Sequence, residues 1–250
     1  MPTTTIPSAS SVFLKLLRAD MTTLWRNRRA SLLVVLVPTV ILISWKGLVP
    51  KFGASFVIAN CITVGLTAIG LMGYTNTLAR DRDKGIFQRL RVAPAPKWTI
   101  MTSRLTVQLL MILITTLVLF IVGYKFDGIV LTPMGYLGGL LISIVCGAVY
   151  LSLGQVIVGL IKNVETVNVV TRLVYFVFIM VGMFGELGML GDALNKAVHW
   201  SPYGTVKNIV SAALVPSTWD NDSTMKLLVT LGYTLVFTVL GVKWFRWNTR

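Results

Sequence analysis

The sequence predicts an all-α membrane protein with six transmembrane helices. Three observations support this fold class: 55% of the 250 residues are hydrophobic, only 13% are charged, and the apolar residues are gathered in long runs. Soluble domains usually carry about 25% charged residues. A helix needs about 20 mostly apolar residues to cross a hydrocarbon core of about 30 Å. The bilayer is therefore the expected solvent of most of the chain.

The six predicted spans follow one another along a single transmembrane domain, residues 1–250. Their bounds are 30–49, 52–79, 105–124, 134–161, 172–191 and 227–242. The first span is interrupted only by Lys46, whose long side chain can carry its charge to the interface. The fifth contains Glu186 toward its far end. Because the number of crossings is even, both termini are expected on the same side of the membrane.

The charges agree with this topology. The chain carries 23 Lys and Arg against 9 Asp and Glu, which gives a net charge of +14. In a soluble protein such an excess indicates nucleic-acid binding, whereas in a membrane protein basic residues mark the cytoplasmic loops. Of the 23 basic residues, 17 fall on the side of the termini. The sequence thus predicts a multi-pass protein with cytoplasmic termini, and no nucleic-acid partner is needed to explain its charge.

Several kinds of chemistry are absent from the sequence. One histidine and two cysteines, Cys61 and Cys146, cannot build a zinc site, an iron–sulfur site or a disulfide framework. No glycine-rich nucleotide-binding motif is present either. We therefore expect no catalytic residue, no metal and no cofactor in this chain. Any energy that it uses must come from a partner or from an ion gradient.

The first span is preceded by a segment, residues 1–29, that is predicted to lie on the cytoplasmic side as an amphipathic helix. Its apolar residues recur at helical spacing, and basic residues occupy the other face: Phe13, Leu16, Leu17, Met21, Leu24 and Trp25 against Lys15, Arg18 and Arg26. This pattern is typical of a helix that lies in the membrane interface. The alternative is an ordinary solvated helix that packs on protein.

The longest predicted connection, residues 80–104, has the pattern of a structured segment. Phe87 and Leu90 stand three residues apart between basic residues, which favours a short helix. Pro94 and Pro96 end any such helix because proline lacks the backbone donor and disfavours helical geometry before it. Connections of this length are usually functional or disordered. A plain solvated loop with the cytoplasmic charge signal remains the alternative.

This segment carries a resemblance to a known family. Its residues read Asp81-Arg-Asp-Lys-Gly85-Ile-Phe-Gln-Arg89-Leu90, with Pro94 following. The pattern resembles the membrane subunits of type-2 ATP-binding-cassette (ABC) transporters, in which an acid-x-acid-x-Gly stretch after the second helix is followed by a leucine and a proline. The length, the six helices and the amphipathic N-terminal helix are also similar to that family.

The resemblance implies that residues 80–104 form a coupling loop with a cytoplasmic coupling helix between the second and third spans, which docks on a separate ATPase. The residues expected to couple are Asp81, Asp83, Gly85, Phe87, Arg89, Leu90, Arg91 and Pro94. Phe87 and Leu90 are expected to insert as apolar contacts. Arg89 and Arg91 are expected to pair with acids of the ATPase. Asp81 and Asp83 are expected to orient the loop against the basic N-terminal helix.

The family also has a re-entrant excursion before its last crossing. Residues 192–214 fit it, with Trp200, Pro202 and Tyr203 at the outer turn. By the same resemblance the expected assembly holds two ATPase copies, which carry ATP and Mg, and a second permease subunit, identical or homologous. It lies in the cell (inner) membrane of a bacterium or archaeon. The direction that the resemblance implies is export.

The translocation path is predicted from polar side chains and from Met and Phe side chains on two spans. They are Asn60, Thr63, Thr67 and Tyr74 on the second span and Asn168, Thr171, Tyr175, Met180, Met183 and Phe184 on the fifth. A polar stripe is costly in lipid and so faces protein or a cavity. A surface rich in Met and Phe suits a hydrophobic or amphipathic substrate, such as a drug, an antibiotic or a lipid-like molecule. The alternative is ordinary interior packing, with threonines bonded to their own helix.

Other interpretations remain open at this point. A ladder of small residues on the fourth span, Gly135, Gly139, Ser143 and Gly147, favours close packing inside the chain over a dimer interface. Within the family, a subunit that exports lipid-linked polysaccharide is the nearest alternative. Outside it, a secondary transporter would need ionisable residues at mid-membrane, and a membrane enzyme would need clustered acids or histidines. The sequence has neither feature.

Overall fold

A computed structural model describes residues 8–26, 28–92 and 97–244 of the chain, and for 28–31, 90–92 and 97–98 it describes only the backbone. Within these ranges the protein is all helical and has no strand. We number the helices α1 (Ala9–Arg26), α2 (Arg28–Ser44), α3 (Val49–Phe52), α4 (Ala54–Asp83), α5 (Ile86–Val92), α6 (Lys97–Asp127), α7 (Pro133–Leu160), α8 (Val164–Glu186), α9 (Asp192–Trp200), α10 (Pro202–Leu214) and α11 (Asn221–Trp244).

The structure contains five helices that are long and apolar enough to cross a membrane, namely α4, α6, α7, α8 and α11. A sixth crossing is obtained if α2 and the short helical segments after it count as one span. That pair, Leu32–Ser44 and Lys46–Phe52, is bent by 49° at the break. The all-helical fold class is confirmed, and the first predicted span, 30–49, is a bent helix pair and not one straight helix.

Several helices extend beyond the spans predicted from the apolar runs. The helix of the second span continues to Asp83, and the helix of the third begins at Lys97. The largest difference concerns the fifth span, predicted at 172–191, because α8 begins at Val164 and ends at Glu186. Asn163 accepts hydrogen bonds from the backbone amides of Glu165 and Thr166, and this cap starts the helix eight residues earlier than hydropathy suggests.

Helix α4 occupies the centre of the bundle. Its residues from Val57 to Leu71 are buried, and it packs against α2, α6, α7, α8 and α10. Two ends of the bundle are named here by the residues that α4 brings to them. The Asn60 end holds the start of α4 with α10, and the Arg82 end holds the last turn of α4 with α5 and the end of α7.

The crossing of α4 and α7 depends on the absence of a side chain at Gly70. A Cβ atom there would lie 2.5 Å from Tyr150 Cβ and 2.8 Å from the Tyr150 carbonyl oxygen on α7. At this crossing α4 has π-helical geometry from Ala68 to Thr75. The Thr75 hydroxyl donates to the carbonyl of Gly70, five residues back, at 2.7 Å. The wider turn thus brings the two backbones together.

The ladder of small residues on α7 packs inside the chain, as predicted. All four members are buried. A Cβ atom at Gly139 would meet side-chain atoms of Leu214 and Phe120, and one at Gly147 would meet Ile112. Close helix–helix contacts of this kind are typical of membrane bundles, where small residues let backbones approach. The ladder therefore joins α7 to α6 and α10.

Residues 192–214, predicted as an outer re-entrant segment, form a pair of helices, α9 and α10. The break between them is Ser201, whose hydroxyl accepts a hydrogen bond from the Gly204 amide at 3.2 Å, and Pro202 occupies the first turn of α10. Helix α10 is buried against α4, α7 and α11. Trp200 and Pro202 lie on either side of the break, and Tyr203 follows in the first turn of α10.

We predict that Gly70→Ala destabilises the protein by about 1–3 kcal/mol, because the added methyl group must push against the backbone of α7. The measurement is thermal unfolding of the purified, detergent-solubilised chain. The matched control is Gly232→Ala on α11, where a Cβ atom meets nothing within 4 Å. An unfolding midpoint that falls equally in both variants would show that the α4–α7 crossing is not tight.

Candidate functional site

The Arg82 end of the bundle contains a group of buried and partly buried polar contacts that involve α1, α4, α5, α6 and the end of α7. We call it the junction and define it by Asp20, Asp81, Arg82, Phe87, Ser103 and Arg104. Its first component is Arg82, whose guanidinium lies beneath the end of α7. Arg82 Nη1 donates to the carbonyl of Val158, and Nη2 donates to those of Ile161 and Lys162, each at 2.7 Å. The last turn of α4 is thereby attached to the turn between α7 and α8.

Asp81 and Arg104 attach the same turn of α4 to the start of α6. The Asp81 carboxylate forms a partly buried ion pair with the Arg104 guanidinium. The Arg104 guanidinium also lies over the Phe87 ring, 5.1 Å from its centroid. Cation–π contacts of this kind are stabilising, most of all where water is excluded. Helix α5 is therefore held against the protein on its Phe87 side.

The N-terminal helix also contacts the junction. The Ser103 hydroxyl donates to the Asp20 carboxylate at 2.7 Å, which ties α1 to α6. We expected Asp81 and Asp83 to orient the loop against α1. Instead Asp81 pairs with Arg104 of α6, and Asp83 is exposed. This expectation is corrected: the carboxylate in the contact between α1 and the junction is Asp20, which belongs to α1 itself.

A second correction concerns Phe87. Its side chain is 0% exposed. With no exposed surface, Phe87 does not offer the apolar contact to a partner that we expected, and it anchors α5 to its own chain. Gly85 makes the turn that brings α5 back, with φ at +64°, a conformation that favours glycine.

Charged and polar side chains cover the outer face of this segment. Asp83, Lys84, Gln88 and Arg89 are exposed. Of the other residues predicted to couple, Pro94 and the side chains of Leu90 and Arg91 lie outside the described residues. The structure therefore brings Asp81, Gly85 and Phe87 together at the base of α5 and leaves Arg89 on its surface.

The predicted path residues on α4 face the interior of the chain. Asn60, Thr63, Thr67 and Tyr74 are all buried. Thr63 and Thr67 donate to the carbonyl four residues back in their own helix, at 2.8 and 2.7 Å. The polar stripe of α4 thus faces the interior of its own chain. This is the alternative given above, ordinary interior packing, and we do not assign these residues to a translocation path.

The predicted path residues on α8 are more accessible. Thr171 is buried, and its hydroxyl lies 3.3 Å from Asn76 Oδ1 on α4 and 2.8 Å from the carbonyl of Val167. The other five are half-buried: Asn168, Tyr175, Met180, Met183 and Phe184. Beside them runs an exposed apolar face that includes Val169, Leu173, Phe176, Val177 and Val181. This face of α8 is left uncovered by its own chain.

The opposite end of the bundle holds a buried charge cluster that the sequence did not predict. We call it the Glu186 cluster: Glu186, Lys207, Asn208 and His199. Lys207 Nζ lies 2.7 Å from Glu186 Oε2 and 4.2 Å from the centroid of the Phe56 ring. The side chains of Glu186 and Lys207 are only 5% and 7% exposed. The cluster ties the end of α8 to α10.

Tyr203 extends this contact to α4. Its buried hydroxyl donates to Asn60 Oδ1 at 3.1 Å. The Tyr203 ring packs against α8 at Gly182, where a Cβ atom would lie 2.5 Å from two of its carbon atoms. The Tyr150 hydroxyl of α7 also donates to the carbonyl of Pro202, at 3.2 Å. The break between α9 and α10 is thus bonded to the core.

The described residues contain no cluster of three or more His, Cys, Asp or Glu that could hold a metal ion. Both cysteines are buried and unpaired. The polar contacts described above hold helices together. The junction connects α1, α4, α5, α6 and the end of α7, and the Glu186 cluster connects α8 to α10.

Comparison with known proteins identifies the family. A family model described as ABC-2 type transporter matches residues 11–215, from α1 to the end of α10. A comparison with curated proteins gives no significant match. Permeases of this family lack an ATPase domain and work with ATPase subunits. The chain is therefore a multi-pass membrane protein of the ABC-2 type transporter family and a membrane subunit of such a transporter.

Proposed function

We propose that this subunit forms the path of an exporter for a hydrophobic or amphipathic substrate, driven by a separate cytoplasmic ATPase that binds the exposed face of α5. The observation that carries the proposal is the junction. It holds α5 against α6 through the contact of Phe87 with Arg104. It also joins α4 and α1 to α6, and it leaves Arg89 of α5 and the preceding Lys84 exposed. A helix that is rigidly held and exposes basic side chains suits a protein partner with an acidic groove.

The distribution of charge supports a cytoplasmic position for the junction. Basic residues are enriched in cytoplasmic loops, and the segment 80–104 is the richest in them. With both termini on the same side, the Glu186 cluster faces the outside of the cell membrane. Helices α9 and α10 then form the outer closure of the bundle.

The path in this proposal runs between two permease subunits along α8. Two observations support it: the polar stripe of α4 is buried in its own chain, and α8 leaves an apolar face uncovered. Tyr175, Met180, Met183 and Phe184 lie half-buried beside that face. Flexible methionines and aromatic rings adapt to apolar ligands of different shapes. The second subunit can be identical or homologous.

The substrate class can be tested by reconstitution. The chain is purified together with its ATPase subunit and placed in proteoliposomes. Hydrolysis is then measured against a panel of hydrophobic cations, antibiotics and lipid-like molecules, with a lipid-linked oligosaccharide as the alternative. Stimulation by the first group is the expected result, whereas stimulation by the oligosaccharide alone would contradict the proposed substrate class.

We predict that Arg89→Glu reduces co-purification of the ATPase at least about tenfold, because the reversed charge repels an acidic groove. Pull-down from membranes with a tagged permease measures this. Lys196→Glu on α9 is the control, since Lys196 is also exposed and lies at the other end of the bundle. Equal recovery of the ATPase with both variants would exclude the exposed face of α5 as the docking surface.

We predict that Met183→Trp changes, by roughly tenfold, the concentration of the best stimulating compound that gives half-maximal hydrolysis. The reason is that the tryptophan ring is bulkier than the methionine side chain and changes the shape of the path. The matched control is Leu235→Trp on α11, where the side chain is exposed and faces lipid in this proposal. An unchanged response of Met183→Trp, or an equal shift in Leu235→Trp, would contradict a path along α8.

We predict that Lys207→Met lowers the free energy of unfolding by about 3–5 kcal/mol, because it leaves Glu186 buried without its cation. The double variant Glu186→Gln with Lys207→Met should lose clearly less than the sum of the two single losses. Thermal unfolding in detergent measures all three, with the exposed Lys196→Met as the control. Strictly additive losses would show that the two charges are not coupled.

A further inference from the structure

We propose that Arg82 is a positioning residue that carries movement of the coupling segment to the turn between α7 and α8. This inference rests on the proposed function and deepens it, because α8 is the helix assigned to the path. Segment 80–104 joins α4 and α6 covalently. Arg82 provides a link from the same segment to a third and a fourth helix, which follow much later in the chain.

The geometry is that of a clamp on a helix end. The guanidinium of Arg82 donates to the carbonyls of Val158, Ile161 and Lys162, the last two at 2.7 Å. Helix α7 ends at Leu160, so these carbonyls belong to its last turn and to the residues that follow. Carbonyls at a helix C-terminus have no partner in their own helix and carry partial negative charge. The buried guanidinium of Arg82 gives these carbonyls hydrogen-bond donors and places a positive charge beside their partial negative charge.

The clamp also holds the start of α8. Only residues 161–163 separate α7 from α8, and Asn163 caps α8 by accepting hydrogen bonds from the Glu165 and Thr166 amides. Arg82 binds two of the three carbonyls of this turn. The turn therefore cannot move away from the end of α4 unless these partly buried carbonyls, and the buried carbonyl of Val158, lose a charged donor, which is costly.

The chemistry of arginine fits this task better than that of other residues. Its planar group presents five donors in a fixed fork and keeps its charge at any physiological pH. A lysine has a single charged nitrogen at the end of a flexible stem, so it cannot hold three carbonyls in the same fixed arrangement. Arg82 is 4% exposed, whereas Arg80, two residues earlier on the same helix, is exposed. The two arginines thus form a natural pair of test and control.

The first experiment measures the clamp in the permease alone. Hydrogen–deuterium exchange is followed in the solubilised wild-type chain and in Arg82→Gln, Arg82→Lys and Arg80→Gln. Arg82→Gln should raise exchange at the amides of residues 157–167 on the order of tenfold, because the end of α7 loses bonds to a charged donor. Arg82→Lys should be intermediate and Arg80→Gln unchanged. Wild-type exchange in Arg82→Gln would overturn the inference.

The second experiment separates positioning from mere stabilisation. Exchange is measured in the complex with the ATPase, with and without a non-hydrolysable ATP analogue. In the wild type and in Arg80→Gln, the nucleotide should change exchange both at residues 84–92 and at 157–167. In Arg82→Gln the change at 84–92 should persist and the change at 157–167 should disappear, with partial recovery in Arg82→Lys.

The outcomes distinguish this inference from the proposed function. A nucleotide-dependent change at 157–167 that persists in Arg82→Gln would overturn the role of Arg82 and leave the docking of the ATPase intact. The absence of any nucleotide-dependent change at 84–92 in the wild-type complex would instead contradict the proposed docking surface, and the transmission through Arg82 with it. If Arg82 only capped the end of α7, Arg82→Gln would alter exchange at residues 157–167 by the same amount with and without nucleotide.

Discussion

The close crossing of α4 and α7 is the contact on which the rest of the bundle depends. Because Gly70 has no side chain, the backbones meet there, and α4 can run through the centre of the protein with its neighbours packed around it. One helix then connects two polar centres. At its beginning Asn60 accepts the hydrogen bond of Tyr203, and at its end Arg82 and Asp81 hold α7 and α6. Both polar centres are therefore attached to the same continuous helix.

The bilayer explains how the polar residues of the bundle are arranged. Lipid offers no hydrogen-bond partners, so polar side chains in a span bond to their own helix or to a neighbour. Thr63 and Thr67 bond to their own helix, and Tyr203 bonds to Asn60 of a neighbouring helix. Among the described residues, a few buried hydroxyls have no such partner, namely those of Tyr74, Thr115 and Thr230. The face of α8 that its own chain leaves uncovered is apolar, as is the exposed face of α11.

Hydropathy indicated the number of long apolar helices, six predicted against five or six in the described residues. It located the helix ends poorly because capping residues determine where a helix starts. The cap at Asn163 starts α8 earlier than its apolar run indicates, and the last turn of α4 is helical although it contains charged residues. The family motif located the junction but not the role of each residue. Helical spacing identifies Phe87 as apolar without telling whether it faces a partner or Arg104 of its own chain. The pair of Glu186 and Lys207 left no local signal, since the two residues lie on different helices.

The central claim is that a separate ATPase binds the exposed face of α5, which the junction holds in place. The most direct test places a photo-cross-linking amino acid at Arg89 and, as a control, at Lys196, both of which are exposed. Irradiation of cells that express the permease together with its ATPase subunit should link the ATPase to position 89 and not to position 196. Absence of a cross-link at position 89, in a complex that still contains both proteins, would contradict the account.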